Sequence, residues 1–162
     1  MREFANIAAF AEHLVALDLA IAASAHRGLE QVARLIERDA KSQIGHYQQA
    51  VGPFQAWAPL AMRTEQEKAR LGYPLNAPLL REGNLRDSIE HEVSGMEAVI
   101  GSKSPIAAYQ EFGTNTIPPR PFIGPAAFKN KEAIQRILGE AVVEGIMGGT
   151  AAPAALGYDF ET

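Results

Sequence analysis

The chain has 162 residues, a net charge of −4 and no cysteine. This length suits one domain, and 47% hydrophobic with 21% charged residues is typical of a folded globular protein. The acidic balance argues against a broad phosphate-binding surface, because nucleic-acid domains normally gather a basic excess on one face. The lack of cysteine excludes disulfides, thiol nucleophiles and zinc–thiolate sites, and it fits an intracellular setting.

The N-terminal part predicts long helical structure. Apolar residues recur at steps of three and four from Phe4 to Ile44. Asp18 is a candidate N-cap, which would divide the region into a short helix and one of about 27 residues. Gly28 lies inside the second helix, with no role visible from the sequence. Because Glu12 and Asp18 interrupt the apolar run, we expect neither a signal peptide nor a membrane-spanning helix.

Glycine and proline interrupt the helical pattern between residues 46 and 84. Thr64 and Glu67 have the spacing of a capping box, which predicts a short helix that ends at Gly72. The connections on either side are long for a compact domain, and such segments usually belong to a binding surface. Trp57 in the first connection is expected to be a buried anchor, with an interface contact as the alternative.

A β-hairpin is predicted over residues 88–100. Residues 88–93 and 96–100 alternate in polarity around Ser94 and Gly95. A two-stranded hairpin is not stable alone in water, so we expect the long helix to cover its apolar side. We place a candidate third strand at 121–123.

Two helices are predicted in the C-terminal half. Pro105 starts a short helix through Phe112, with Gly113 in the C′ position. Pro125 suits the first turn of a last helix that runs to about Met147. Its expected core-facing residues are Ala126, Ile134, Ile137, Leu138 and Val142.

The predicted fold class is α+β. A long N-terminal helix and a C-terminal helix pack on a small antiparallel β-sheet, with long proline-rich loops. Residues 1–147 are expected to form a single domain. Residues 148–162 lack periodicity and are expected to form a flexible tail.

A search for catalytic or ligand-binding groups finds little. The four histidines are scattered, and no pair has the spacing of a helical metal site. No glycine-rich loop lies between a strand and a helix, as a phosphate loop requires. We therefore expect no catalytic residues, no metal site and no cofactor.

Ser88 and Glu111 are the remaining candidates for catalysis. Ser88 near Asp87 and His91 is a candidate hydrolase set, but Ser88 and His91 would face opposite sides of a strand, so a structural serine is favoured. Glu111 is a candidate general base. The favoured reading is that it accepts hydrogen bonds from backbone N–H groups or pairs with Arg120.

Several short motifs follow one another between residues 79 and 127. They are Gly83-x-Leu85-x-x-Ser88, then the hairpin end Val99-Ile100-Gly101-Ser102, then Tyr109-x-Glu111-Phe112-Gly113-Thr114, and finally Pro119-Arg120-Pro121-Phe122-Ile123-Gly124-Pro125-Ala126. This succession resembles the virion-morphogenesis proteins of tailed bacteriophages, also called tail-completion or neck components. The likeness is looser over residues 4–72. One departure is Glu82, where family members commonly carry threonine.

The resemblance implies a small α+β domain without catalysis that acts where a DNA-filled head meets a completed tail. Its implied partners are further copies of itself in a ring and neighbouring head-connector and tail proteins, with no membrane and no sequence-specific nucleic acid. The expected location is the virion, and the host bacterial cytoplasm during assembly. The alternatives are a DNA-contacting head–tail adaptor and, more remotely, a small hydrolase that uses Glu111.

The proline-rich stretch at 114–123 is the candidate protein-interaction region. Its prolines restrict the free backbone, so less conformational entropy is lost on docking. Phe122 is interpreted equally well as an interface residue or as part of the chain's own core beside Phe112. The candidate interaction residues are Thr114, Pro118, Pro119, Arg120, Phe122 and Ile123, and the candidate structural residues are Gly83, Leu85, Ser88, Tyr109, Glu111, Phe112 and Gly113.

Overall fold

The computed structural model describes residues 6–147 of the chain. The architecture is α+β, as predicted, with a long N-terminal helix, a small antiparallel sheet and a C-terminal helix. The predicted C-terminal tail lies outside the described residues. In chain order the elements are α1 (Ile7–Gln43), α2 (Met62–Leu71), α3 (Asn84–Asp87), β1 (Ile89–Ser94), β2 (Glu97–Ser102), α4 (Pro105–Phe112), α5 (Ile123–Lys129) and α6 (Lys131–Ile146).

α1 is one uninterrupted helix of 37 residues. The predicted break at Asp18 is wrong, because alanine and leucine, which favour helix, continue on both sides of it. Lys41 lies in the last turn, where a positive charge complements the helix dipole.

The first half of α1 is apolar and exposed. Within the described residues, one 18-residue window of this helix has a mean hydropathy of 1.6, and 6% of the window is buried. By length and composition it therefore meets the criterion for a membrane span, contrary to the expectation from its interrupting carboxylates. Signal sequences near an N-terminus and core helices of soluble proteins meet the same criterion.

α2 begins earlier than the capping box predicts. It starts at Met62, with Ala61 as an N-cap that makes no side-chain hydrogen bond. The carbonyl of Ala61 accepts from the N–H of Thr64 at 2.8 Å, which places Thr64 inside the first turn instead of before it. Gly72 ends the helix in the left-handed conformation, with φ 74°, as predicted.

β1 and β2 form the predicted hairpin. Burial alternates along β1, with Ile89 buried and His91 and Val93 half-buried on the same face. The candidate third strand at 121–123 is wrong, and the described sheet has two strands. The N–H groups of Phe122 and Ile123 bond to a side-chain carboxylate instead of a strand, because α5 begins here.

The predicted last helix is divided in two at Asn130. This residue caps α5, and its Nδ2 donates to the carbonyl of Ala126 at 2.8 Å and to Oδ2 of Asp39 at 3.1 Å. Such a side chain competes with the helical backbone for hydrogen bonds, which explains the interruption. Ala126 is buried as predicted, whereas Val142 is exposed.

Contacts divide the chain into two compact units. The described part of the first unit comprises residues 6–32, 93–98 and 133–147, and the second unit comprises residues 33–92 and 99–132. The expectation of a single domain over residues 1–147 stays a prediction.

In the first unit, α1 and α6 approach each other through small residues. A methyl group on Gly28 would lie 2.7 Å from Cβ of Ala141, and one on Gly145 would lie 2.6 Å from Cα of Ile21. Real Cβ atoms do not come this close to other carbon atoms, so neither position has room for a side chain. Gly28 is therefore a close-contact residue between two helices.

Candidate functional site

Glu111 fixes the start of α5 in the second unit. Its Oε2 accepts from the backbone N–H of Phe122 at 2.7 Å and of Ile123 at 3.1 Å, and its Oε1 accepts from that of Gly124 at 3.0 Å. A helix leaves such N-terminal N–H groups without intrahelical partners, and a negative charge there complements the helix dipole. The predicted role of Glu111 as an acceptor of backbone hydrogen bonds is confirmed.

Arg120 is buried, with 6% of its surface exposed. Its Nη2 donates to the carbonyl oxygens of Ala58 at 3.1 Å and Pro59 at 3.3 Å, so the predicted pairing with Glu111 is wrong. Burial lowers the pKa of the guanidinium from its ordinary value, and nearby Tyr47 acts in the opposite direction. Arg120 therefore uses this donor within its own chain, and its role as an interaction residue stays a prediction.

Phe122 lies in the core of its own chain, fully buried. Its carbonyl accepts from Nε2 of Gln43 at 3.2 Å, and the preceding carbonyl of Pro121 accepts from Nε1 of Trp57 at 3.0 Å. Trp57 is buried as predicted. The prediction that Phe122 belongs to the chain's own core is thus confirmed. Its predicted neighbour Phe112 is not part of that core, since it is 81% exposed.

The residues before Arg120 form a closed turn. Oγ1 of Thr114 accepts from the N–H groups of Thr116 at 3.2 Å and Ile117 at 3.1 Å, and the N–H of Thr114 donates to the carbonyl of Ile117 at 2.9 Å. Gly113 enters this turn at φ 75°, and a Cβ there would lie 3.0 Å from the same carbonyl. Pro118 and Pro119 follow on the surface. Their docking role stays a prediction.

The Gly83-Leu85-Ser88 motif builds the short connection around α3. Gly83 precedes the helix at φ 99°, a conformation that favours glycine, and Leu85 is buried. Oγ of Ser88 donates to the carbonyl of Leu85 at 2.7 Å and lies 2.7 Å from Oγ of Ser102. These contacts support the structural reading of the serine over a hydrolase set.

The other members of the supposed hydrolase set have their own contacts. His91 pairs with Glu37 of α1 through its Nδ1. Asp87 pairs with the neighbouring Arg86 at 3.0 Å. Among residues 6–147, no group of three or more acidic, histidine or cysteine side chains is placed to hold a metal ion.

Glu82 makes two side-chain hydrogen bonds in the same connection. Its Oε1 accepts from the hydroxyl of Tyr73 at 2.9 Å and its Oε2 accepts from Nδ2 of Asn84 at 3.0 Å. The Glu82 hydrogen bond and charge raise the pKa of Tyr73. Glu82 thus links the residue before Gly83 both to Tyr73 and to Asn84.

A cleft of about 670 Å³ lies in the second unit beside these motifs. Its lining comes from three parts of the chain, within residues 59–73, 79–85 and 106–120. Leu79 in this lining has φ 64°, which is uncommon for a residue with a side chain and stores local strain. Of the predicted site residues, the cleft brings together Gly83, Leu85, Pro118 and Arg120.

The remaining predicted residues lie elsewhere. Glu111 holds the start of α5 at Phe122 and Ile123. Ser88 is the residue that follows α3. Tyr109 and Phe112 are exposed on α4. Neither aromatic side chain lines the cleft.

Lys68 is a cleft residue that sequence reasoning missed. It is buried in α2, and its Nζ donates to the carbonyl of Ala77 at 2.6 Å. Burial lowers the pKa of Lys68, nearby Glu65 opposes this shift and Arg81 adds to it. Lysine is normally exposed, so a lysine in a polar ten-residue helix gives no sign that it will be buried.

The family model for phage virion morphogenesis proteins matches residues 5–143. Since this match covers more than half of the chain, the protein belongs to the phage virion morphogenesis family. The resemblance seen over residues 79–127 is thereby confirmed, and the match includes all of α1 and most of α6. Neither the curated proteins nor the solved structures give a match. The chain thus has a role in building a phage particle.

Proposed function

We propose that this protein is a non-catalytic structural component that completes the tail or neck at the head–tail junction. It assembles there with copies of itself as a ring and contacts neighbouring head-connector and tail proteins. Family membership supports the structural role. The structural use of Glu111 and Ser88, the two residues considered for catalysis, supports its non-catalytic character.

The observation that carries self-association is an apolar surface on the first unit. Leu19 of α1 is 64% exposed and Val143 of α6 is 60% exposed. Single exposed apolar residues are ordinary, but a group on two helices that contact each other indicates an interaction surface. A second copy suits it, and a ring closes when this surface contacts a different surface of the next copy. The exposed apolar residues are Ile7, Phe10, Leu14, Val15 and Leu19 on α1, and Val142, Val143 and Ile146 on α6.

The charge of the chain favours this function over that of a DNA-contacting adaptor. A net charge of −4 suits a channel wall to which DNA does not adhere. An adaptor that holds DNA would bind it in a salt-sensitive way.

Electron microscopy of particles assembled without this protein tests the junction role. We expect filled heads and separate tails, restored to joined particles when the intact gene is supplied. The purified joined particles should contain the protein. Normal infectious particles without it would exclude the proposed function.

Analytical ultracentrifugation tests the self-association. We expect a monomer or weak oligomer at low concentration, because premature rings would compete with assembly on the virion. Leu19→Ser and Val143→Ser should weaken association at high concentration, whereas Lys103→Ser, at an exposed polar position, should not. A closed ring that persists at the lowest concentration contradicts the weak self-association.

A further inference from the structure

The cleft in the second unit combines apolar walls with positive charge. Its apolar lining includes Leu60, Leu79 and Ile117. A volume of about 670 Å³ falls within the roughly 300–1,000 Å³ that is usual for binding sites. It is therefore large enough for several side chains of a bound segment.

Two buried polar atoms among the cleft residues have no hydrogen-bond partner within the described part of the chain. They are Nε of Arg120, a donor, and Oε1 of Gln110, an acceptor. A buried donor or acceptor without a partner costs free energy, and a docked segment is one source of the missing groups. A peptide backbone or a carboxylate offers an acceptor to the first atom, and a peptide N–H offers a donor to the second.

The charged residues of the lining favour an anionic ligand. Lys68, Arg81 and Arg120 are cationic, and Glu82 is the anionic side chain among the lining residues. This local excess of positive charge stands in a chain whose net charge is −4. Electrostatic complementarity therefore favours an acidic segment.

The chain itself carries a segment of this chemistry. Residues 157–162 read GYDFET, in which Tyr158 and Phe160 alternate with Asp159 and Glu161. A segment of this sequence therefore combines aromatic rings, which suit the apolar lining, with carboxylates, which suit the cationic lining.

We propose that the cleft binds residues 157–162 of a second copy of the chain. This inference rests on the proposed self-association at the head–tail junction and assigns it a second contact, separate from the apolar surface of α1 and α6. Each copy both offers a segment and receives one, which is the head-to-tail arrangement that generates rings.

Cysteine pairing between two full-length variants tests this contact, since the natural chain has no cysteine. One variant carries Thr116→Cys, an exposed residue of the cleft lining, and the other carries Phe160→Cys. The matched control for the first variant is Lys129→Cys, which is exposed on α5 and does not line the cleft. Under a mild oxidant, the mixed disulfide should form about tenfold faster with Thr116→Cys than with the control.

Two further measurements test the role of charge and control for loss of folding. Adding Asp159→Asn and Glu161→Gln to the Phe160→Cys chain should slow the cleft disulfide about threefold or more. The melting temperatures of the cysteine variants should equal that of the parent, which excludes loss of folding as the cause.

Equal disulfide rates for Thr116→Cys and Lys129→Cys would overturn the proposal. A chain with both Thr116→Cys and Phe160→Cys that closes on itself, while the mixed pair does not react, would overturn the assignment to a second copy. Phage that carry Asp159→Asn and Glu161→Gln should join heads to tails less efficiently. If they join normally, while loss of the whole protein leaves heads and tails separate, the cleft contact is wrong and the junction role stands.

Discussion

The carboxylate of Glu111 lies 2.7 Å from the backbone nitrogen of Phe122 and also accepts the next two N–H groups. On the carbonyl side, Gln43 and Trp57 donate to the same short segment. α4, α1 and the 46–61 connection thus all hold the start of α5. The proline-rich stretch therefore has a fixed half after Arg120 and an exposed half before it.

Glu111→Gln should lower the free energy of unfolding by about 1–3 kcal/mol, because it removes a charge that accepts hydrogen bonds. Urea unfolding measures the change. Glu92→Gln, at an exposed position of β1, is the control and should have little effect. A Glu111→Gln variant that is fully stable but fails to assemble would instead place Glu111 in an interface.

Phe122→Ala and Phe112→Ala form a matched pair, because one ring is buried and the other is 81% exposed. Removal of the buried ring should cost about 3–5 kcal/mol, and removal of the exposed ring should change stability by less than about 0.5 kcal/mol. Thermal and urea unfolding of both variants provide the comparison. Similar losses for the two would show that the Phe122 ring is not in the core.

Local signals in the sequence predicted much of this fold. Gly72 and Gly113 end helices because glycine adopts positive φ without strain, and Pro105 opens α4 because proline suits a first turn. The alternation of polarity along β1 located the hairpin. In each case the cause lies within a few residues of the feature.

Features that depend on distant parts of the chain were missed. The third strand at 121–123 was predicted as a partner for the hairpin, whereas the N–H groups of Phe122 and Ile123 bond to Glu111 on α4. The burial of Arg120 depends on carbonyls about sixty residues away, at Ala58 and Pro59. No local pattern in the sequence reports these contacts.

Arg120→Ala should destabilise the chain by about 2–3 kcal/mol, because it leaves the carbonyls of Ala58 and Pro59 without their donor. Arg120→Lys should lose less, since it keeps a charge and a donor. Arg136→Ala removes an exposed ion pair on α6 and should change stability by less than about 1 kcal/mol. An Arg120→Ala variant that melts with the parent would mean that the guanidinium is exposed in solution.

Glu37 makes the stability of the chain depend on pH in the acidic range. Its hydrogen bond from Lys41 lowers its pKa, burial opposes this shift, and the contact with His91 adds to the lowering. A carboxylate with a lower pKa in the folded state stabilises the protein above its unfolded pKa, and this contribution is lost as the pH falls through the folded value. The stability difference between the parent and Glu37→Gln should therefore shrink between about pH 5 and pH 3. Urea unfolding across this range measures it, and a difference that grows on acidification would contradict the assignment.

Gly28 and Gly139 both lie within helices, but changing each to alanine should have opposite effects on stability. Alanine in a helix is favoured over glycine by about 0.5–1 kcal/mol. A methyl group on Gly139 would meet no neighbouring atom within 4 Å, so Gly139→Ala should stabilise the chain by this amount. At Gly28 the added methyl would lie 2.7 Å from Cβ of Ala141, and the overpacking cost of about 1–3 kcal/mol exceeds the gain.

The double variant Gly28→Ala with Ala141→Gly separates close packing from any other cause. Removing the opposing methyl restores the space, so the double variant should be more stable than the sum of the two single changes predicts. Thermal unfolding of the parent, both single variants and the double variant completes the cycle. If Gly28→Ala is as stabilising as Gly139→Ala, α1 and α6 do not approach each other this closely in solution, and the apolar surface that they are proposed to share loses its structural basis.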